Sequence, residues 1–315
     1  MACLKAAAHA KGSASEEARG DMDEPDRHGA RSVIVISSHV ARGSVGNRAA
    51  VFALETLGFP VWAVPTVVLP WHPGHGPATR IVPDAEQFAA CMADLERSTW
   101  LNEVGAVLSG YLGNVGQAEA VASLVRKVRS VNPEARYLCD PVFGDAGGLY
   151  VPEATAEAIR DRLMPLADIV TPNRFELAWM ADRALDDLDD IIAAAAALGP
   201  RMVLVTSAKS PSPGRIGNLL VSKASALLAE HGIVDKPPNG PGDLMAAVFL
   251  ARLMRGLGPA EALQLATATV FEILARAKER GADELMLETD AASLSQPAAT
   301  VDLRQLRRPE TEHGA

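Results

Sequence analysis

Short β-branched runs alternate with stretches of helical spacing along most of this chain, and that alternation admits few architectures. Val33-Ile34-Val35-Ile36 is apolar at every position, which suits a strand buried on both faces. Helical spacing follows over 46–57, and Val61-Trp62-Ala63-Val64 is the next strand-like run. An amphipathic helix at 84–98, the strand Ala106-Val107-Leu108, a helix at 115–130 and the strand Tyr137-Leu138-Cys139 come after it. A helix over 153–163, the strand Asp168-Ile169-Val170, helices near 174–182 and 187–198 and the strand Met202-Val203-Leu204-Val205 continue the pattern. A β pair at 217–221 and 224–230 precedes helices at 243–255 and 259–278. Strands separated by helices pair in parallel through crossovers. The expectation is an α/β fold: one doubly wound, mostly parallel central sheet over residues 31–290, flanked by helices on both faces. Residues 1–30 carry mixed charge and no apolar run, and are expected as a disordered tail. The polar, proline-containing residues 291–315 are expected as a loose C-terminal tail.

Composition narrows the function. Hydrophobic residues are 48% and aromatics only 4% of the 315 residues, so the core is built from Ala, Leu and Val. A net charge of −9 opposes non-specific binding to nucleic acid or acidic membranes. Cys3, Cys91 and Cys139 are far apart and match no zinc spacing, so neither a structural zinc nor a disulfide framework is expected. The first residues lack a signal-peptide core and no later apolar run reaches membrane-spanning length, which points to the cytoplasm.

In an open parallel sheet, ligands bind beyond the carboxyl ends of the strands. Polar clusters follow the strand-like runs here: Ser37-Ser38-His39, Ser109-Gly110-Tyr111, Asp140-Pro141-Val142-Phe143-Gly144-Asp145, Thr171-Pro172-Asn173-Arg174-Phe175-Glu176 and Thr206-Ser207. One such cluster is an ordinary loop, whereas several at one edge describe a site. The stretch Asn239-Gly240-Pro241-Gly242-Asp243 then opens an apolar helical run. Glycines there allow a tight bend, and the free N–H groups of a helix start attract anions. Two readings of Asp243 stand at this point: a helix N-cap, or a base beside a phosphoryl-binding corner.

Taken together, these residues resemble the pyridoxal kinases of the ribokinase superfamily. The matching positions are Ser38-His39-Val40 with Gly43 and Gly46-Asn47, Ser109-Gly110-Tyr111-Leu112-Gly113, Cys139-Asp140-Pro141-Val142 with Gly144-Asp145, Thr171-Pro172-Asn173 with Glu176, and Gly240-x-Gly242-Asp243. The resemblance implies ATP-dependent phosphorylation of the 5′-hydroxymethyl of pyridoxal, pyridoxine or pyridoxamine. It implies Asp243 as general base and the amides of 240–243, Gly240 and Gly242 included, as the oxyanion corner. Asp140 and Glu176 would position Mg2+, and Asp145 and Thr171 would lie near the phosphates or a monovalent cation (K+ or Na+). Tyr150, Thr206 and Ser207 would line the nucleotide, while Ser38 and Tyr111 would hold the pyridine ring. The family also implies a homodimer.

Two departures bear on chemistry. Pro241 stands between the glycines and has no N–H; it either removes one oxyanion donor or stiffens a first turn that never used it. Pro73, in Trp71-His72-Pro73-Gly74-His75-Gly76, stands where the family commonly has a substrate-contacting threonine. That segment reads either as a rigid surface loop or as a rewritten substrate flap. A kinase for another hydroxymethyl heterocycle or a sugar, and a nucleotide- or vitamer-binding protein with little turnover, are the competing readings. Arg42 reads as a solvated charge or an anion contact, and Lys209 as solvated or near ATP phosphates.

Overall fold

Each residue of the first strand chooses a face by parity, and that choice builds two cores. In the computed structural model, which describes residues 31–306, β1 spans Ser32–Val40. Val33 and Val35 pack into one apolar cluster and Ile34 and Ile36 into another, all fully buried. The first cluster receives α1 (Asn47–Thr56), α7 (Pro241–Met254) and α8 (Pro259–Glu279). The second receives α2 (Ala85–Arg97) and α3 (Val115–Val131). Continuous apolar strands between two helical layers are the expected signature of a sheet covered on both faces.

The nine-stranded sheet also contains β2 (Val61–Leu69), β3 (Val104–Ser109), β4 (Arg136–Cys139), β7 (Ile169–Val170), β8 (Met202–Lys209), β9 (Arg215–Ser222), β10 (Ala226–Gly232) and β11 (Asp302–Leu306). Its order is β11-β10-β9-β8-β7-β4-β3-β1-β2. From β2 to β8 every neighbour runs parallel, and β9, β10 and β11 attach antiparallel. A small ribbon, β5 (Gly144–Asp145) with β6 (Gly148–Leu149), stands apart from the sheet. The expected helix over 153–163 begins as α4 (Glu153–Ala158) and runs on as a π turn over Ile159–Leu163. Helices α5 (Arg174–Ala181) and α6 (Leu188–Ala197) cover β8 and β9 through a third cluster containing Leu177, Ile191, Val203 and Leu219.

Three boundaries differ from the sequence expectation, the first being that Thr206 and Ser207 lie inside β8 rather than after it. Ser37, Ser38 and His39 lie inside β1 rather than after it, because β2 is long enough to pair with them. Residues 291–306 are not a loose end. They form α9 (Ala291–Ser295) and the edge strand β11, which pairs with β10 from Asp302 to Leu306. Ion pairs hold that edge: Arg304 to Glu230 at 3.1 Å and Arg215 to Asp302 at 2.6 Å. A polar edge strand discourages further pairing and therefore looks like a tail in sequence. The remaining expected tail segments, 1–30 and 307–315, lie outside the described residues. Cys91 and Cys139 are free thiols.

Candidate active site

Parallel pairing brings the carboxyl ends of β1, β3, β4, β7 and β8 to one edge of the sheet. The chain steps from β1 to β2 on one side and then to β3 on the other, so the crevice opens where strand order reverses. Two bulges shape this edge. The register of β1 on β2 shifts between Ser37 and His39, around Ser38. The register of β8 on β9 shifts between Val205 and Ala208, and Ser207 there has φ +54. Such bulges turn a side chain out of the regular pleat.

The glycine corner enters this crevice at the start of α7. Gly240 is the N-cap, with φ +99, and the carbonyl of Ser44 occupies the space a side chain would need. Only glycine combines that conformation with that approach. Pro241 is the first helical residue, where an N–H has no intrahelical acceptor in any case. A Cβ on Gly242 would meet nothing within 4 Å, so this turn faces open space. Among the described residues, neither the Gly240 nor the Gly242 N–H has a hydrogen-bond acceptor.

Asp243 sits in the first turn and is not the N-cap. The backbone N–H groups of Gly46 and of Asp243 itself lie near its carboxylate. Gly46 sits there at φ +56, so close to Ser38 that a Cβ would lie 2.5 Å from Ser38 Oγ. Burial pushes the pKa of Asp243 up to about 6, against the pull of those two N–H groups.

Asp140 ends β4 and is buried, as is Glu176. The Thr171 hydroxyl donates to Asp140 Oδ1 at 2.7 Å. Burial, and then the charge of Asp243, push the pKa of Asp140 up to about 8, with the Thr171 bond opposing. Glu176 closes a capping box with Asn173: its Oε2 accepts the Asn173 N–H at 2.8 Å, and Asn173 Oδ1 accepts the Glu176 N–H at 2.9 Å. Its Oε1 accepts the N–H groups of Phe143 at 3.2 Å and Gly144 at 3.4 Å. Burial and the charge of Asp140 still hold Glu176 well above the usual carboxylate range. Asn173 followed three residues later by Glu176 is the local sequence signal of this box.

Aromatic groups wall the crevice. Tyr111 and Tyr150, expected on different ligands, stack on each other with centroids 6.5 Å apart and planes 21° apart. Tyr150 is 48% exposed overall, yet desolvation of its hydroxyl and then the charges of Glu176, Asp140, Asp243 and Asp145 raise that hydroxyl above its ordinary pKa. Arg80, which no sequence signal marked, donates to the Tyr111 hydroxyl at 2.9 Å and lies 5.7 Å from its ring centroid. The Tyr111 N–H donates to Ser37 Oγ at 3.2 Å. Asp145 is exposed on the ribbon and accepts the Gly147 N–H at 2.7 Å. Thr206, within β8, pairs through a parallel bridge with Asn173. Arg42 is solvated and pairs with the exposed Asp283 at 2.8 Å. Lys209 donates to the Asp186 carbonyl at 2.6 Å.

No group of three or more His, Cys, Asp or Glu side chains converges on a metal position among the described residues. The arrangement instead offers a pair of buried carboxylates, a third that is half-buried, and a set of free N–H groups at a helix start. It can hold a phosphoryl group and take up a proton beside it.

Comparison with known proteins agrees with this chemistry. A family model described as phosphomethylpyrimidine kinase matches residues 85–287. The pyridoxal kinase PdxY of Rubrobacter xylanophilus is 39% identical over 285 residues, covering 88% of this chain and 98% of the relative. The pyridoxal kinase PdxY of Corynebacterium diphtheriae is 32% identical over 281 residues, covering 87% of this chain and 99% of the relative. The structure of pyridoxal kinase from Leishmania donovani in complex with ADP and pyridoxamine matches with a TM-score of 0.83 at 29% identity, over 88% of this chain and 100% of that one. The pyridoxal kinase of Trypanosoma brucei matches with a TM-score of 0.79 at 26% identity, over 88% of this chain and 100% of that one. By sequence and by architecture, this chain belongs to the pyridoxal kinase family, ATP-dependent kinases of ribokinase-like fold.

Proposed function

We propose that this protein transfers the terminal phosphoryl group of ATP to the 5′-hydroxymethyl of pyridoxal and related B6 vitamers, giving pyridoxal 5′-phosphate from pyridoxal. The observation that carries the reading is the meeting of Asp243 with the free amides of the Gly240 corner at the carboxyl edge of the sheet.

In this reading the ionised Asp243 accepts the hydroxyl proton as the alcohol oxygen bonds to the terminal phosphorus and the bond to ADP breaks. A pKa of about 6 leaves Asp243 mostly ionised at neutral pH and still basic enough to hold a proton. The Gly242 N–H and the positive end of α7 stabilise charge on the transferring group. Phosphoryl transfer asks mainly for alignment and neutralisation. Ser38 and Tyr111 hold the ring of the alcohol substrate. Thr171, Asp145, Tyr150, Thr206 and Ser207 form the nucleotide side, with Tyr150 reaching both sides through its stack on Tyr111.

The donor set fits Mg2+. Asp140 and Glu176 are buried acids with no Lys, Arg or His partner among the described residues, and magnesium needs only one or two carboxylates beside water and phosphate. Asp140 would hold it, with Glu176 acting through water because both its oxygens already accept N–H groups. Bound there, the ion supplies positive charge to the phosphate oxygens. A monovalent cation beside Asp145 and Thr171 belongs to the same proposal, as do a homodimer and a cytoplasmic location. No helix among the described residues is long and apolar enough to cross a membrane.

A second reading, a kinase for another hydroxymethyl heterocycle, draws on Pro73, which has no hydroxyl to offer, and on the description of the matching family model. ADP release from Mg-ATP with a panel of B6 vitamers, hydroxymethylpyrimidines and sugars separates the two. Turnover with pyridoxal is the expected result. Turnover confined to pyrimidines or sugars favours the second reading, and tight binding without ADP release removes the enzyme assignment.

A further inference from the structure

Two loops flank the Gly240 corner, and one carboxylate joins them. Residues 72–76 form a tight turn: Gly74 N–H donates to His72 Nδ1 at 3.0 Å, His75 N–H to the His72 carbonyl at 2.9 Å and Gly76 N–H to the Pro73 carbonyl at 3.0 Å. The inner side of the turn rests on the residue before the corner, since a Cβ on Gly74 would lie 3.1 Å from Asn239 Nδ2. Outside, His75 Nε2 lies 2.8 Å from Glu284 Oε1. A carboxylate only accepts, so the imidazole N–H donates.

Glu284 also holds the second loop. Its side chain is 10% exposed and lies 3.5 Å from Arg42 Nη1. Gly43, at φ +103, presses so close to this carboxylate that any side chain there would collide with it. Next along, the Ser44 hydroxyl donates to the Leu285 carbonyl at 2.8 Å. This is the loop whose Gly46 N–H reaches Asp243. Glu284 Oε2 has no hydrogen-bond partner, so Oε1 alone carries the link to His75. Burial lowers the His72 pKa, with the charge of Glu284 opposing.

We propose that Glu284 is a positioning residue for the acceptor side of the reaction. Through His75 it holds the 72–76 turn against Asn239, and through Gly43 it fixes the loop that serves Asp243. It touches no reacting atom. The proposal rests on the reading of the corner as the phosphoryl-transfer site. None of the hydrogen bonds of this link goes to β7, β8 or the β5–β6 ribbon.

The test compares Glu284→Gln, His75→Ala, the double variant and His75→Gln, which keeps a side-chain N–H donor. Glu284→Gln and His75→Ala are each expected to raise KM for the alcohol about tenfold, the loss of one charge-assisted hydrogen bond. KM for ATP stays within about twofold, because uniform acceptor binding is what is lost. The double variant is no worse than the worse single one, as a shared interaction requires, and His75→Gln recovers most of the loss. Amide exchange on the intact protein without substrate gives a readout independent of turnover: His75 and Gly76 exchange faster in both single variants, while the amides of α7 do not change. Additive single effects, an equal rise in KM for ATP, or unaltered exchange at 75–76 would overturn the proposal. If Glu284→Gln does not fold, His75→Ala decides the matter alone. Absence of B6 turnover by the wild-type protein defeats the assigned reaction, while the exchange comparison still decides whether the link holds the turn.

Discussion

Two sets of buried carboxylates in this protein have opposite electrostatics. Near α8 and α9, Asp290 lies 2.6 Å from Arg280 and Glu272 lies 2.6 Å from Arg276. The Arg280 hydrogen bonds hold Asp290 below the usual carboxylate range despite its burial. At Glu272 burial pushes upward, but the Ala299 N–H, the Ser293 hydroxyl and Arg276 together outweigh it. In the crevice, Asp140 and Glu176 are similarly buried, yet no cationic side chain among the described residues pairs with them or with Asp243, and all three are raised. The paired set stabilises the fold. The crevice set opposes it, and buried acids left uncompensated at a strand edge mark where charge or a proton must arrive from outside.

The largest expected effect tests Asp243 as the base. Asp243→Asn should lower kcat by about 10²–10⁴-fold and leave KM for ATP within about twofold. In the wild-type protein kcat/KM should rise with pH through about 6, because the ionised carboxylate is the active form. The variant should lack that limb. Steady-state rates between pH 5 and 8 check both statements, and an unchanged kcat removes Asp243 from the chemistry.

The next effect sets the two regions against each other directly. Asp290→Asn removes a partner from partly exposed arginines and should cost roughly 1–3 kcal/mol of stability. Asp140→Asn should do the reverse, raising the melting temperature by a few degrees at pH 7 while lowering activity. The signs follow from linkage. Asp290 titrates lower in the folded state than unfolded, so its contribution is present above the ordinary carboxylate range and is lost as pH falls through its folded value. Asp140 titrates higher when folded, so the native state binds the extra proton between the ordinary range and about 8, and stability declines as pH rises through that window. The Asp140→Asn advantage should therefore shrink at pH 5. Thermal melts of the three proteins at pH 5 and 7 decide it, and a destabilised Asp140→Asn would erase the contrast.

How much of this was legible in the sequence depends on distance along the chain. Strand and helix identity came from local periodicity, as in Val33-Ile34-Val35-Ile36, whose alternate residues feed opposite cores. The glycine bend and helix start were legible because Gly240, Gly242 and Asp243 lie within one short stretch. β11 was not, because Asp302-Leu303-Arg304-Gln305-Leu306 has the polar alternation of an exposed edge. The link from His75 to Glu284 spans 209 residues and the bond from Arg80 to Tyr111 spans 31, and no local pattern encodes either. The crevice charges were named one by one in the sequence, but their mutual repulsion is a property of the folded edge alone.

The smallest effect concerns the amide side of the corner, which balances the unpaired acids. Pro241 occupies the first position of α7, where an N–H has no intrahelical acceptor and where the fixed φ of proline suits the helix. Pro241→Ala should therefore leave kcat within about twofold and lower stability by no more than about 1 kcal/mol, since alanine mainly widens the unfolded ensemble. Rates and melts of this variant locate the oxyanion donors. If restoring the N–H speeds turnover by tenfold or more, position 241 faces the transferring group and its missing donor has been limiting the enzyme. An unchanged rate assigns that task to the amides of Gly240 and Gly242, which have no backbone acceptor among the described residues.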